Sequence, residues 1–331
     1  MNKPAFNDAR VGAADAHATR AAPRLLLSLR DVRKTYETGA GDVVEVLKGV
    51  DLDVEAGSFT VIRGESGSGK TSLLRIVGLL DSAFDGDYFF AAEDVKAQPD
   101  WRRDELRSSN VGFIFQDGQL FDHMSMRENI AAPIRLQGTP EQVRGLQRRI
   151  AELSPQFFTE KELRTDELLD KRPTKVSGGQ RQRAAVMRSV INQPALILAD
   201  EPTASLDKDR KEEILNLLLA LRDEGNTVVV VSHDEVFYKT GRQLRLANGV
   251  LSELAPDAAT AAPARDQVKA PARAMDILYG WAPRAPLAIL AVQALRETFL
   301  RPIFLFLVLV SLCLGVCQIS VFSSIILGAQ S

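Results

Sequence analysis

The run Gly64-Glu65-Ser66-Gly67-Ser68-Gly69-Lys70-Thr71 matches the phosphate-loop pattern G-x-x-x-x-G-K-[ST]. It lies between a strand-like segment, Ser58 to Arg63, and a helical one opened by Thr71-Ser72-Leu73-Leu74. That context commits the neighbourhood to a strand–loop–helix unit. The glycines let backbone N–H groups wrap an anion at a helix N-terminus, Lys70 can neutralise outer phosphates, and the Thr71 hydroxyl can ligate Mg²⁺. An α/β domain that takes a nucleotide is therefore expected.

The flanking sequence supports this. From Leu25 onward, short apolar runs of strand length alternate with longer helical stretches, the pattern of an α/β domain on a largely parallel sheet. Val111 to Phe115, Ala195 to Ala199 and Thr227 to Val231 read as strands, the last two apolar enough to be covered on both faces. Asn248-Gly249, between Gln243 to Ala247 and Val250 to Leu254, signals a hairpin, so the sheet should end in an antiparallel pair. Pro140 to Lys175, rich in Glu, Gln, Arg and Leu without alternation, reads as a helical subdomain inserted into the α/β core.

A second chemical centre follows. Ala195 to Ala199 is an apolar strand that ends in Asp200 and Glu201, which suits one acid for the Mg²⁺ shell and one for an attacking water. Asp200 is expected at the metal and Glu201 at the water. Composition excludes other classes: 41 basic and 43 acidic residues are spread along the chain, so no basic stripe points to nucleic acid. Cys313 and Cys317 both fall in the most apolar stretch, leaving no disulfide framework elsewhere, and His17, His123 and His233 are too scattered for a zinc site. Residues 1–24 read as a disordered leader without a secretory signal.

Val176-Ser177-Gly178-Gly179-Gln180-Arg181-Gln182-Arg183 precedes the acidic strand and Pro202-Thr203-Ala204-Ser205-Leu206-Asp207 follows it. Together with the phosphate loop, these motifs resemble the ATP-binding-cassette ATPases over about Leu25 to Leu254; Ser177 to Gln180 is the most family-specific part. The resemblance implies a P-loop cassette with an inserted helical subdomain, ATP and Mg²⁺ as its cofactors, and ATP hydrolysis coupled to transport. It also implies that Tyr36 stacks on adenine, that Ser72 joins the loop's nucleotide contacts, and that Gln116 senses Mg²⁺ and the water. His233 would contact the γ-phosphate. In such proteins Ser177, Gly178, Gly179 and Gln180 of one subunit complete the ATP site of another, so the resemblance implies a homodimer, with Ser205 to Asp207 at its interface. Gly78-Leu79-Leu80-Asp81 and the cassette-then-membrane order are similar to the macrolide-exporter and lipoprotein-release subclass.

Past the 25–254 domain, residues 255–284 read as a linker and 285–302 as an amphipathic interfacial helix, with Ala288, Val292, Leu295 and Phe299 on one face. Residues 303–328 read as a transmembrane helix: Ile303 to Leu327 carries no charge, and at ~1.5 Å per residue it is long enough to cross a ~30 Å hydrocarbon layer. Arg273, Arg284, Arg296 and Arg301 precede it, which predicts a single-pass inner-membrane protein with a cytoplasmic ATPase domain. One span per subunit cannot enclose a substrate path. The expectation is thus an ATPase subunit in the lipid bilayer that drives a separate permease, contacted by Gln116 to Glu128 and Ile303 to Leu327. The alternative is an ATPase that regulates an extracytoplasmic enzyme mechanically, without transport.

Overall fold

Two sheets organise the chain in the computed structural model, which describes residues 24–254 apart from 38, 40, 41 and 166. The larger sheet has six strands: β3 (Phe59–Arg63), β6 (Val111–Ile114), β7 (Leu196–Asp200), β8 (Thr227–Val231), β9 (Arg242–Ala247) and β10 (Val250–Glu253), in the order β10-β9-β3-β8-β7-β6. All neighbouring pairs are parallel except β9 with β10. Asn248 (φ 50°) and Gly249 (φ 81°) both turn left-handed between those two, as a tight hairpin requires.

The strands are apolar because they serve two cores. Leu196, Leu198, Val229 and Val231 pack into one buried cluster, while Ile197, Ala199, Val228 and Val230 pack into another, as the period-2 alternation of a strand dictates. Helix α1 (Lys70–Val77) contributes Leu73 and Ile76 to the first cluster. Helices α3 (Met126–Gln137), α4 (Pro140–Phe157), α6 (Gly178–Val190) and α7 (Lys208–Asp223) contribute Ile130, Ile150, Val186 and Leu218 to the second.

A second sheet, not read from the sequence, accompanies the first. The strands β1 (Leu25–Glu37), β2 (Val43–Glu55), β4 (Asp85–Phe90) and β5 (Glu93–Asp94) form a separate antiparallel sheet in the order β2-β1-β4-β5. Its alternation is broken where Asp31 turns left-handed (φ 45°) and the register with β2 shifts between Leu29 and Val32. The inserted helical region also starts before Pro140, because α3 begins at Met126 behind a capping box made by Ser125 and Glu128. Helices α2 (Asp100–Asn110) and α5 (Glu160–Thr165) complete the set. The expected leader, all but Arg24, the linker 255–284, the amphipathic helix 285–302 and the span 303–328 lie outside the described residues. Among the described residues no helix is long and apolar enough to cross a membrane.

Candidate nucleotide site

Strand β3 delivers the chain into the loop Gly64 to Gly69, and the loop opens α1. Gly67 (φ 78°) and Gly69 (φ 99°) take left-handed backbone there. A Cβ at Gly69 would come within 3.0 Å of the Val46 carbonyl oxygen, so the loop lies tight against β2. No described side chain caps α1, and its first turn holds no acid. By contrast, α3, α4, α6 and α7 are capped by Ser125, Thr139, Ser177 and Asp207. The open N–H groups of α1 therefore point positive dipole density at whatever sits on the loop. Lys70 is 9% exposed, and its Nζ donates to the Gly64 and Glu65 carbonyls, each at 2.8 Å. Its ammonium is thereby held across the loop.

The end of β7 faces this loop. The Thr71 hydroxyl donates to Asp200 Oδ2 at 3.4 Å. Burial pushes the Asp200 carboxyl above the usual range, and the charge of Glu201 pushes it further, while the Thr71 hydrogen bond and Lys70 pull it down. Glu201 sits in left-handed backbone (φ 45°), a conformation that costs free energy in a non-glycine residue and clusters at functional sites. Its N–H donates to the Val231 carbonyl at 2.8 Å. Its carboxylate accepts from the Ser232 hydroxyl at 2.9 Å and the His233 N–H at 3.4 Å, and its Oε1 meets His233 Nδ1 at 2.8 Å. Ser232 is fully buried and was not anticipated, although a lone polar residue closing the valine run of β8 before His233 was a readable signal. The neighbouring Asp234 accepts from the Thr203 hydroxyl at 2.9 Å and pairs with Lys211 at 2.7 Å, tying α7 to the strand ends.

These groups line one cleft of about 480 Å³. Ser66, Gly67, Gly69, Lys70, Thr71, Ser72, Gln116, Asp200, Glu201 and His233 all face it, joined by Val46 and Ala204. Gly64 and Ser68, also in the loop, do not line this cleft, and the buried Ser68 Oγ has no hydrogen-bond partner. Glu65 lines an adjoining hollow with Lys48 and Arg245. Tyr36 ends β1 half-exposed, and its hydroxyl reaches Ser72 Oγ at 3.3 Å, at the margin of the cleft. Ser177 to Gln180 do not line it. They form the capping box at the start of α6, where Gln180 N–H donates to Ser177 Oγ at 3.2 Å and Ser177 N–H donates to Gln180 Oε1 at 3.0 Å. Asp207 likewise caps α7, away from the cleft lining, and pairs with Arg210 at 3.3 Å. An open helix start, a tethered ammonium and a half-buried carboxylate beside a hydroxyl fit a polyphosphate with a hard cation.

The chain is similar to known proteins over this region. A family model described as "ABC transporter" matches residues 47–204. A solved dimer of the ATP-binding cassette MJ0796, in a post-hydrolysis state with ADP and Pi, is 32% identical with a TM-score of 0.60; the match covers 70% of this chain and 100% of that one. The chain belongs to the ATP-binding cassette family. The cassette is an ATPase that takes ATP with Mg²⁺. A macrolide export ATP-binding/permease protein MacB of Syntrophobacter fumaroxidans is 37% identical over 250 residues, 73% of this chain and 34% of the relative. The MacB of Brucella melitensis is 34% identical over 313 residues, 92% of this chain and 45% of the relative. The chain thus spans a third to just under half the length of these relatives, which agree with the subclass expected from its motifs.

Proposed function

We propose that this cassette is the ATP-hydrolysing part of an inner-membrane transporter of the macrolide-exporter type. In this reading it closes head-to-tail with a second copy around two ATP and drives a permease. The observation that carries it is the incomplete site: eight polar side chains converge in one cleft, while Ser177 to Gln180 start α6 outside that cleft, with Ser177 exposed. A second copy presenting its α6 N-terminus would add backbone N–H groups at the γ-phosphate. The Brucella relative supports a membrane role, since its alignment spans 92% of this chain and so reaches into the region read as linker, interfacial helix and a bilayer span at 303–328. The same reading has a leader at 1–24, the ATPase domain at 25–254, a linker at 255–284, an interfacial helix at 285–302 and a span at 303–328.

Each residue then has a task. Lys70 and the loop N–H groups hold the phosphates, and Tyr36 with Ser72 flanks the base. Thr71, Asp200 and Gln116 would hold Mg²⁺, which when bound neutralises charge on the outer phosphates. Glu201, positioned by Ser232 and His233, orients the attacking water and accepts its proton, while His233 steadies the γ-phosphate. Ser205 to Asp207 link the two sites across the dimer.

Two measurements test this. In a Glu201→Gln background, Ser177→Arg should abolish the ATP-induced dimer in size-exclusion chromatography yet leave ATP bound to the monomer; a dimer that persists removes Ser177 from the interface. Asp200→Asn should lose Mg²⁺-dependent turnover while raising the thermal midpoint of the nucleotide-free protein. The sign follows from the raised folded pKa: an ionised Asp200 costs stability at neutral pH, and the amide removes that cost. A lowered midpoint in calorimetry would contradict it.

A further inference from the structure

Immediately after Gln116 the backbone turns left-handed three times in succession, at Asp117 (φ 57°), Gly118 (φ 74°) and Gln119 (φ 38°). Two of these residues carry side chains, so the segment costs free energy unless its surroundings hold it. What holds it is α6. The Arg188 guanidinium donates through Nη2 to the Gly118 carbonyl and through Nη1 to the Gln119 carbonyl, each at 2.9 Å. A Cβ on Gly118 would stand 3.3 Å from Ala185 Cβ and 3.4 Å from both the Arg181 carbonyl and Gln182 Oε1, all on α6. Beyond α6, the Gly118 N–H donates to the Phe115 carbonyl at 3.1 Å, and the buried Asn129 holds Phe121 on the far side of the turn, accepting from its N–H at 2.7 Å. Burial lowers the pKa of Arg188, the cost of placing a cation against carbonyls.

We propose that Arg188 is a positioning residue for hydrolysis: its two-pronged grip fixes the loop that aims Gln116 into the nucleotide cleft and makes that loop move with α6. The same helix begins at Ser177 to Gln180, so its two ends address the two halves of a composite site. About 11 residues of helix separate Ser177 from Arg188, roughly 16 Å of a rigid element. A rotation of α6 that seats Ser177 on a partner's nucleotide therefore carries Gln116 with it. The inference rests on the roles given above to Gln116 and Ser177. Here the planar fork reaches the two carbonyls through two different nitrogens of fixed spacing, whereas a lysine in its place would offer a single point charge without that spacing.

The test compares Arg188→Lys, Gly118→Ala and Gln116→Ala in the full chain, titrating Mg²⁺ at saturating ATP and recording kcat, KM for ATP and thermal midpoint. Arg188→Lys should lower kcat by about 10- to 100-fold, as small misplacements of catalytic groups do, with KM for ATP unchanged and the midpoint lowered as the left-handed segment loses its hold. It should also raise the Mg²⁺ concentration for half-maximal rate in the same direction as Gln116→Ala. Gly118→Ala, which keeps Arg188 but puts a Cβ on a left-handed residue (φ 74°) and crowds Ala185 Cβ at 3.3 Å, should shift kcat and the Mg²⁺ requirement in the same direction. The proposal is overturned by wild-type kcat in Arg188→Lys, or by a lowered kcat with an unchanged Mg²⁺ requirement, since that marks a merely structural role. If Gln116→Ala itself leaves the Mg²⁺ requirement unchanged, the role of Gln116 fails and this proposal with it. A shift for Gln116 alone overturns only the clamp.

Discussion

Glu201→Gln is expected to bind ATP as the native protein does, to hydrolyse it ~10²- to 10⁴-fold more slowly, the usual contribution of a general base, and to accumulate as a nucleotide-bound dimer. The geometry explains why this variant separates binding from chemistry. Glutamine keeps the shape of the side chain, and its carbonyl can still accept the Ser232 hydroxyl that now sits 2.9 Å from Oε2. Its amide can face His233 Nδ1, which lies 2.8 Å from Oε1 in the native chain. What the amide cannot do is accept a proton from water. The left-handed backbone at 201 and its hydrogen bond to Val231 are untouched, so folding should be too. Steady-state hydrolysis with size-exclusion chromatography in Mg-ATP decides the matter. Native turnover would remove Glu201 as the base.

Lys70→Ala should fail one step earlier, at binding. The ammonium is almost fully buried and held by two loop carbonyls, so its charge is already desolvated and aimed when a phosphate arrives. Losing a charge-assisted contact of this kind costs about 1.5–3 kcal/mol, or ~10- to 150-fold in Kd. Two terms would oppose a clean reading, the orphaned Gly64 and Glu65 carbonyls and the small space left behind, but both lie at a solvent-facing cleft where water can serve them. Binding measured in EDTA isolates the lysine from the metal. Native affinity there would mean that the open start of α1 alone holds the phosphates.

Much of this site could be read from residue order, because its parts lie where one element hands over to the next. Lys70 and Thr71 start a helix, Asp200 and Glu201 end a strand, and His233 follows another; each spelling fixes its own place. Strands β7 and β8 were legible because both their faces are buried, which leaves unbroken apolar runs. The antiparallel sheet was hidden by half-exposed strands whose alternation is interrupted at Asp31 and whose pairings join residues far apart, such as Arg30 with Asp53 at 2.8 Å. Helix α3 was hidden by Arg127, Glu128, Arg135 and an internal Pro133, although the Ser125–Glu128 box announces it. Ser232 on Glu201 and Arg188 on the Gln116 loop are contacts between segments 31 and about 70 residues apart, and spelling carries no such distances.

The uncapped beginning of α1 has a thermodynamic consequence. Helices α3, α4, α6 and α7 finish themselves with their own side chains, whereas in the proposed reading α1 is finished by its ligand. The nucleotide therefore acts as a missing piece of secondary structure, and occupancy adds RT ln(1 + [L]/Kd) to the folding free energy. The cassette's resistance to local opening, and hence to proteolysis, then becomes a function of cellular ATP.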